Sequence, residues 1–184
     1  MNTFTPARPG YRPFPNLAHR NAIQQRFEVP TLVRLLKLPP GRRILEVGCG
    51  RGVALPPLAR ICDPEALVGL DIERALLAEA AAALEAEGVF AELVAGDVRA
   101  MPFGAGAFDV VVDFGTVYHV DRPEAALREI ERVLAPGGLF VHETPLGQLF
   151  AHPVRSLGRT LPWRTAPGLV RNRHAGFWAT ERRC

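Results

Sequence analysis

Lysine is almost absent from this chain: of its 22 cationic residues only Lys37 is not an arginine. Cysteine is scarce too. Cys49, Cys62 and Cys184 show neither CxxC spacing nor an even count, which excludes a disulfide framework and a zinc site and leaves three reduced thiols. No metal is expected. No segment approaches the ~20 apolar residues of a membrane helix. The start, with Pro6, Pro9, Pro13 and Pro15, lacks the apolar stretch of a signal peptide. These absences predict a cytoplasmic protein.

The charge that is present is unevenly placed. Residues 1–43 carry a net +7, residues 150–184 a net +6 and the middle −10. Basic ends attract anionic substrates, RNA or lipid surfaces. With no interleaved stacking platform before Trp163 and Trp178, these ends read better as solubilising arms, and nucleic acid is not the expected partner. A chain of 184 residues with 48% hydrophobic content fits one domain. Its expected parts are an N-terminal arm with cap helices over 1–40, a core over 41–145, and a lid with the last strand region over 146–184.

The stretch Ile44-Leu45-Glu46-Val47-Gly48-Cys49-Gly50-Arg51-Gly52 organises the rest. An apolar run ending in alternate glycines is a buried strand that turns tightly into a ligand-binding loop, where a nucleotide-like ligand can lie against the main chain. Before it, a helix is predicted from Asn16 to Phe27, and Pro30 starts a second one with Leu32, Leu35 and Leu36 on one face. After it the pattern alternates. Arg42 to Val47, Ala66 to Leu70, Phe90 to Ala95, Phe108 to Phe114 and Leu139 to Glu143 read as strands. Val53 to Ile61 is a helix, and so is Glu73 to Glu87, with Leu76, Ala80 and Leu84 inward and Gly88 as its stop. A further helix opens at Asp121, which has capping-box spacing to Glu124, and runs through Leu127, Ile130 and Leu134 to Pro136-Gly137-Gly138. This succession predicts an α/β fold with a doubly wound, mainly parallel Rossmann-like sheet, helices on both faces and ligands at the carboxyl ends of the strands. Leu146 to Leu157 reads as a lid helix interrupted at Pro153, and Phe177 to Arg183 as a last strand.

Two acids stand at strand ends downstream of the loop. Asp71 is placed to accept both hydroxyls of a ribose. Asp97 is placed to accept the exocyclic amine of adenine, while the amide of Val98 donates to a ring nitrogen. Together they specify adenosine.

The loop, Val68-Gly69-Leu70-Asp71-Ile72, Gly96-Asp97-Val98-Arg99-Ala100-Met101-Pro102-Phe103 and Leu134-Ala135-Pro136-Gly137-Gly138 resemble class I S-adenosylmethionine-dependent methyltransferases over roughly residues 19–145. The similarity points toward the small-molecule group that includes the ubiquinone/menaquinone-type C-methyltransferases. It implies S-adenosylmethionine as cofactor, with the methionine end on Glu46, Gly48, Cys49 and Gly50, the ribose on Asp71 beside Ile72, and the adenine on Asp97 and Val98. Asp113 and Phe114 would border the sulfonium. The implied activity is in-line methyl transfer to a small-molecule acceptor; an RNA methyltransferase and a non-catalytic S-adenosylmethionine-binding partner subunit are the alternatives. A nicotinamide enzyme would want GxGxxG, and the glycines here are GxGxG. If a general base is used, Tyr118 and His119 are the candidates, with His142 and Glu143 nearby. Only about 40 residues follow the fifth strand, with room for two closing strands only if Gly168 to Arg173 is one of them. A sheet left one strand short would invite a homodimer.

Overall fold

A computed structural model describes residues 17–143, 166–175 and 178–184. The expected arm over residues 1–16 and the lid helix from Leu146 lie outside them. Helix α1 (Leu17–Ile23) passes through a π-helical turn (Gln24–Glu28) into α2 (Val29–Leu36). The predicted break at Pro30 does not occur, because Ile23, Glu28 and Val29 all keep right-handed helical angles. A proline lacks an N–H and crowds the carbonyl four residues back, and the wider π turn takes up that misfit. The buried face of α2 is Val29, Pro30, Leu32 and Val33, whereas Leu35 points out and is 60% exposed.

The strands are β1 (Arg43–Val47), β2 (Ala66–Asp71), β3 (Glu92–Ala95), β4 (Phe108–Asp113), β5 (Leu134–Glu143), β6 (Leu169–Ala175) and β7 (Trp178–Arg183). They form one sheet in the order β3-β2-β1-β4-β5-β7-β6, parallel except that β7 runs antiparallel to β5 and β6. The short C-terminal region therefore supplies both closing strands, and the unfinished edge that prompted the homodimer expectation is not there. Helices α3 (Leu55–Cys62) and α4 (Arg74–Glu87) join α2 on one face, where Ile44, Val110 and Val141 meet Leu32, Leu58 and Leu84. Helix α5 (Pro123–Val133) covers the other, where Leu45, Val111 and Phe140 meet Leu127 and Ile130. Consecutive apolar residues of the central strands, such as Ile44 and Leu45 or Val110 and Val111, face opposite sides of the sheet, so these strands are buried on both sides.

Local corrections follow from packing. In α4 it is Leu77, with Ala80 and Leu84, that turns inward, not Leu76. Strand β3 starts at Glu92, leaving Phe90 90% exposed. Asp121 does not cap α5: Arg122 precedes the helix in a left-handed conformation without a side-chain cap, and Asp121 pairs with Arg99 instead. Leu134 ends no helix but opens β5. Between Phe108↔Leu134 and Val110↔Leu139, β5 spends extra residues as a bulge at Pro136-Gly137-Gly138. What matters for function is β1, flanked by β2 on one side and β4 on the other. There the winding reverses, and a crevice opens at the carboxyl ends.

Candidate active site

The loop after β1 curls across that crevice. Gly48, Gly50 and Gly52 have φ of +66°, +52° and +71°. Cys49 N–H donates to the Leu70 carbonyl at 3.0 Å, and Gly52 N–H closes the turn on the Cys49 carbonyl at 2.8 Å. A Cβ on Gly48 would overlap the Thr116 side chain, whose hydroxyl donates to the Gly48 carbonyl at 3.4 Å. At Gly50 a Cβ would meet nothing within 4 Å. The loop is thus latched on one side and open on the other, and a ligand can approach the main chain at Gly50.

Asp71 spans loop and helix start: Oδ2 accepts the Gly50 N–H at 2.8 Å and Oδ1 the Glu73 N–H at 2.9 Å. Each oxygen keeps a second lone pair for a ligand hydroxyl. Beside it Ile72, 40% exposed, offers an apolar side chain to the crevice edge. Glu46 is buried beneath the loop, and its Oε2 has no hydrogen-bond partner. Burial, then the charges of Asp71 and Asp113, push its carboxyl well above the usual range. The buried Cys49 thiol is raised mainly by burial and next by Glu46, so it is no nucleophile.

At the end of β3, Arg99 grips Asp97 as a fork, Nη2 to Oδ2 at 2.6 Å and Nε to Oδ1 at 2.9 Å, while its own N–H donates to Oδ1 at 2.8 Å. This side-chain bonding holds the Asp97 carboxyl below its ordinary range. Arg99 also reaches Asp121, tying the β3 loop to the approach of α5. Val98 is buried.

Beyond β4 the acids turn inward. Asp113 has no exposure; its Oδ1 accepts the Gly115 and Thr116 amides at 3.0 and 2.6 Å, and its Oδ2 the Val117 amide at 3.2 Å. Burial still raises its carboxyl against those bonds. Phe114 packs edge-on to Trp178 with ring centroids 5.1 Å apart. A 3₁₀ turn (Val117–His119) then brings Tyr118 back over Gly115. His119 is exposed, its ring 4.3 Å from that of Tyr118. His142 is buried in β5, stacked on Phe140, with Nδ1 3.1 Å from the Glu143 carbonyl and Nε2 3.4 Å from Glu181 Oε1.

Glu46, Gly48, Cys49, Gly50 and Asp71 thus meet in one cluster, Asp97 and Val98 stand at its β3 side, and Asp113, Phe114 and Tyr118 at its β4 side. Sequence reasoning passed over Arg99 and Glu181, and reached Thr116 only as the end of the segment Asp113 to Thr116 expected to border the sulfonium and substrate. The Asp97-x-Arg99 spacing was a usable signal for the clamp. Thr116 carries none, since its contact with Gly48 joins residues 68 apart. A cavity of about 270 Å³ lies at the opposite edge, against Arg42, Asp109 and Arg182, and includes none of these residues.

The family model described as Methyltransferase domain matches residues 45–142. The chain belongs to the class I S-adenosylmethionine-dependent methyltransferases. Among methyltransferases similar to it, the phthiotriol/phenolphthiotriol dimycocerosates methyltransferase of Mycobacterium leprae is 35% identical over 124 residues, 67% of this chain and 43% of that protein. The fatty-acid O-methyltransferase of Mycolicibacterium smegmatis is 35% identical over 102 residues, 55% of this chain and 36% of that one. The chain spans about half or less of the length of such curated relatives. A S-adenosylmethionine-dependent methyltransferase structure from Aquifex aeolicus shares the fold, with a TM-score of 0.66 at 15% identity over 88% of this chain and 92% of that one. S-adenosylmethionine is the cofactor of this methyltransferase family, and the residues here fit it: an open main-chain face at Gly50, a carboxylate at Asp71 with a lone pair left on each oxygen, and an unpartnered buried oxygen on Glu46.

Proposed function

We propose that this chain transfers a methyl group from S-adenosylmethionine to a small-molecule acceptor. In this reading Glu46 to Gly52 seat the methionine end, Asp71 holds the ribose, Ile72 packs on the adenine, and Asp97 with Val98 reads its edge. The observation that carries it is the orphaned Oε2 of Glu46, buried under the loop. A buried acceptor without a donor is costly, and the ammonium group of the cofactor's methionine end would supply the donor when bound. When bound, the cofactor supplies an activated methyl group and leaves as the thioether, so the protein's work is alignment. Asp113 does that work at one remove, by fixing the turn that carries Phe114 to Tyr118. A relative that acts on a fatty acid supports an apolar acceptor.

Calorimetry tests the reading. S-adenosylmethionine and S-adenosylhomocysteine should bind and NADH should not; silence with the first two overturns it. Asp71→Ala should weaken S-adenosylhomocysteine at least ~100-fold, about 2.7 kcal/mol, and unchanged affinity would remove the ribose assignment. Tight binding with no transfer to any small acceptor would favour a partner subunit.

A further inference from the structure

We infer that the cavity at the amino ends of the strands is a second ligand site, and that its ligand is a small organic carboxylate with an apolar body. The inference is independent of the methyltransferase reading. The cavity, about 270 Å³, lies where the connection between α2 and β1 meets the sheet: Leu38 and Pro39 of that connection line it together with Val110 of β4, Leu139 of β5 and Arg182 of β7.

The register of the sheet explains this grouping. Val110 pairs with Leu139 and Leu139 with Arg182, so the three stand side by side on one face. Arg42, also in the lining, comes two residues before Ile44, which pairs with Val110; alternation puts it on that face as well, one step nearer the amino edge. The floor is apolar and the rim charged: Val110 and Leu139 are buried, Arg42 and Arg182 exposed.

Both guanidiniums have donors to give. Arg42 makes no side-chain hydrogen bond or ion pair among the described residues, although its charge acts on Asp109. Arg182 commits Nη1 to the Gly137 carbonyl at 3.0 Å, which braces the β5 bulge and leaves most of its five N–H donors unused. The acid in the lining is already engaged, since Asp109 accepts from Arg43 three times, from the main-chain N–H at 2.9 Å, Nε at 3.1 Å and Nη2 at 2.8 Å.

Charge and space together select the ligand. Among the lining side chains two are cations, Arg42 and Arg182, and one is an anion, Asp109, a balance of +1 that suits a monoanion better than a doubly charged phosphate. A cavity of about 270 Å³ is just below the size that takes a drug-sized molecule, so the body is a single ring or a short branched chain. A carboxylate at the rim accepts from the guanidiniums while its apolar part takes water's place over Val110 and Leu139.

The test is ligand-observed NMR on the full chain with benzoate, with benzyl alcohol as an uncharged probe of similar shape, and with inorganic phosphate. Benzoate should bind at least ~10-fold tighter than benzyl alcohol, as charge-assisted hydrogen bonds require, and phosphate should not displace it. Arg42→Gln should weaken benzoate about fivefold and leave both benzyl alcohol and the melting temperature unchanged, because this side chain bonds nothing in the fold. Arg182→Gln should weaken benzoate as well. Saturating S-adenosylhomocysteine should leave benzoate bound, because the crevice lies at the opposite ends of the strands. Benzoate no tighter than the alcohol, displacement by phosphate or by S-adenosylhomocysteine, or an affinity that survives Arg42→Gln overturns the inference.

Discussion

The two halves of the crevice, β1 to β3 on one side and β4, β5 and β7 on the other, handle their carboxylates in opposite ways. On the first side Asp71, buried, and Asp97, half-buried, close their own loops, each partnered by groups within two residues of itself or by the neighbouring loop. On the second, Asp113 is buried and answered by amides, and Glu181 is buried with Oε1 3.4 Å from His142 of another strand and Oε2 without a partner. Asp71 keeps a lone pair on each oxygen that a ligand can use. Asp113 fixes the turn that carries Phe114 to Tyr118.

The largest effect should come from the seam between the halves. Gly48→Ala would drive a Cβ into Thr116 at a positive φ. It should cost roughly 3 kcal/mol or more of stability and abolish S-adenosylhomocysteine binding, read by thermal unfolding and calorimetry. If Thr116→Gly in the same chain restores neither, the latch is not the cause. Next, Asp113→Ala strips the acceptor from three backbone amides, those of Gly115, Thr116 and the buried Val117, and should destabilise by about 3 kcal/mol in chemical denaturation. A value no larger than that of Asp97→Ala would erase the difference between the two sides.

Glu46 gives a pH-dependent prediction. Its folded carboxyl titrates well above the ordinary value of 4.5, so over that interval the folded chain holds a proton that the unfolded chain has released. Stability then falls as pH rises from 4.5 upward, and Asp113, also raised, adds in the same direction. Glu46→Gln should flatten the decline in melting temperature as pH rises above 4.5. An unchanged slope would mean that Glu46 is charged in the fold. The smallest effect belongs to the exposed pair of Arg51 with Glu79, at 2.5 Å, where Arg51→Ala should change stability by less than about 0.5 kcal/mol.

Much of the binding half was legible because it is built from neighbours. Glu46, the glycines and Asp71 lie on one β-turn-α unit and the next strand, and strand-end position alone assigns their places. Asp97 was legible for the same reason, though not the Arg99 fork that now holds it. The alignment half was not. Whether Asp113 faces the crevice or its own turn depends on which side of β4 is buried under α5. Equally, Glu143 reads as one of several bases until the β4–β5 register, which pairs Asp113 with His142, sets it beside the turn at Gly115.

What the chain by itself determined is the alternation of strands and helices, the loop at β1 and the order of acids along it, since each is carried by local spacing and backbone freedom. Only the tertiary structure decided that residues 166–184 could close the sheet with two strands. It alone set Thr116 against Gly48 and left one oxygen of Glu46 without a partner. Those are meetings of residues far apart in sequence, and register and burial, which local spacing does not encode, determine them.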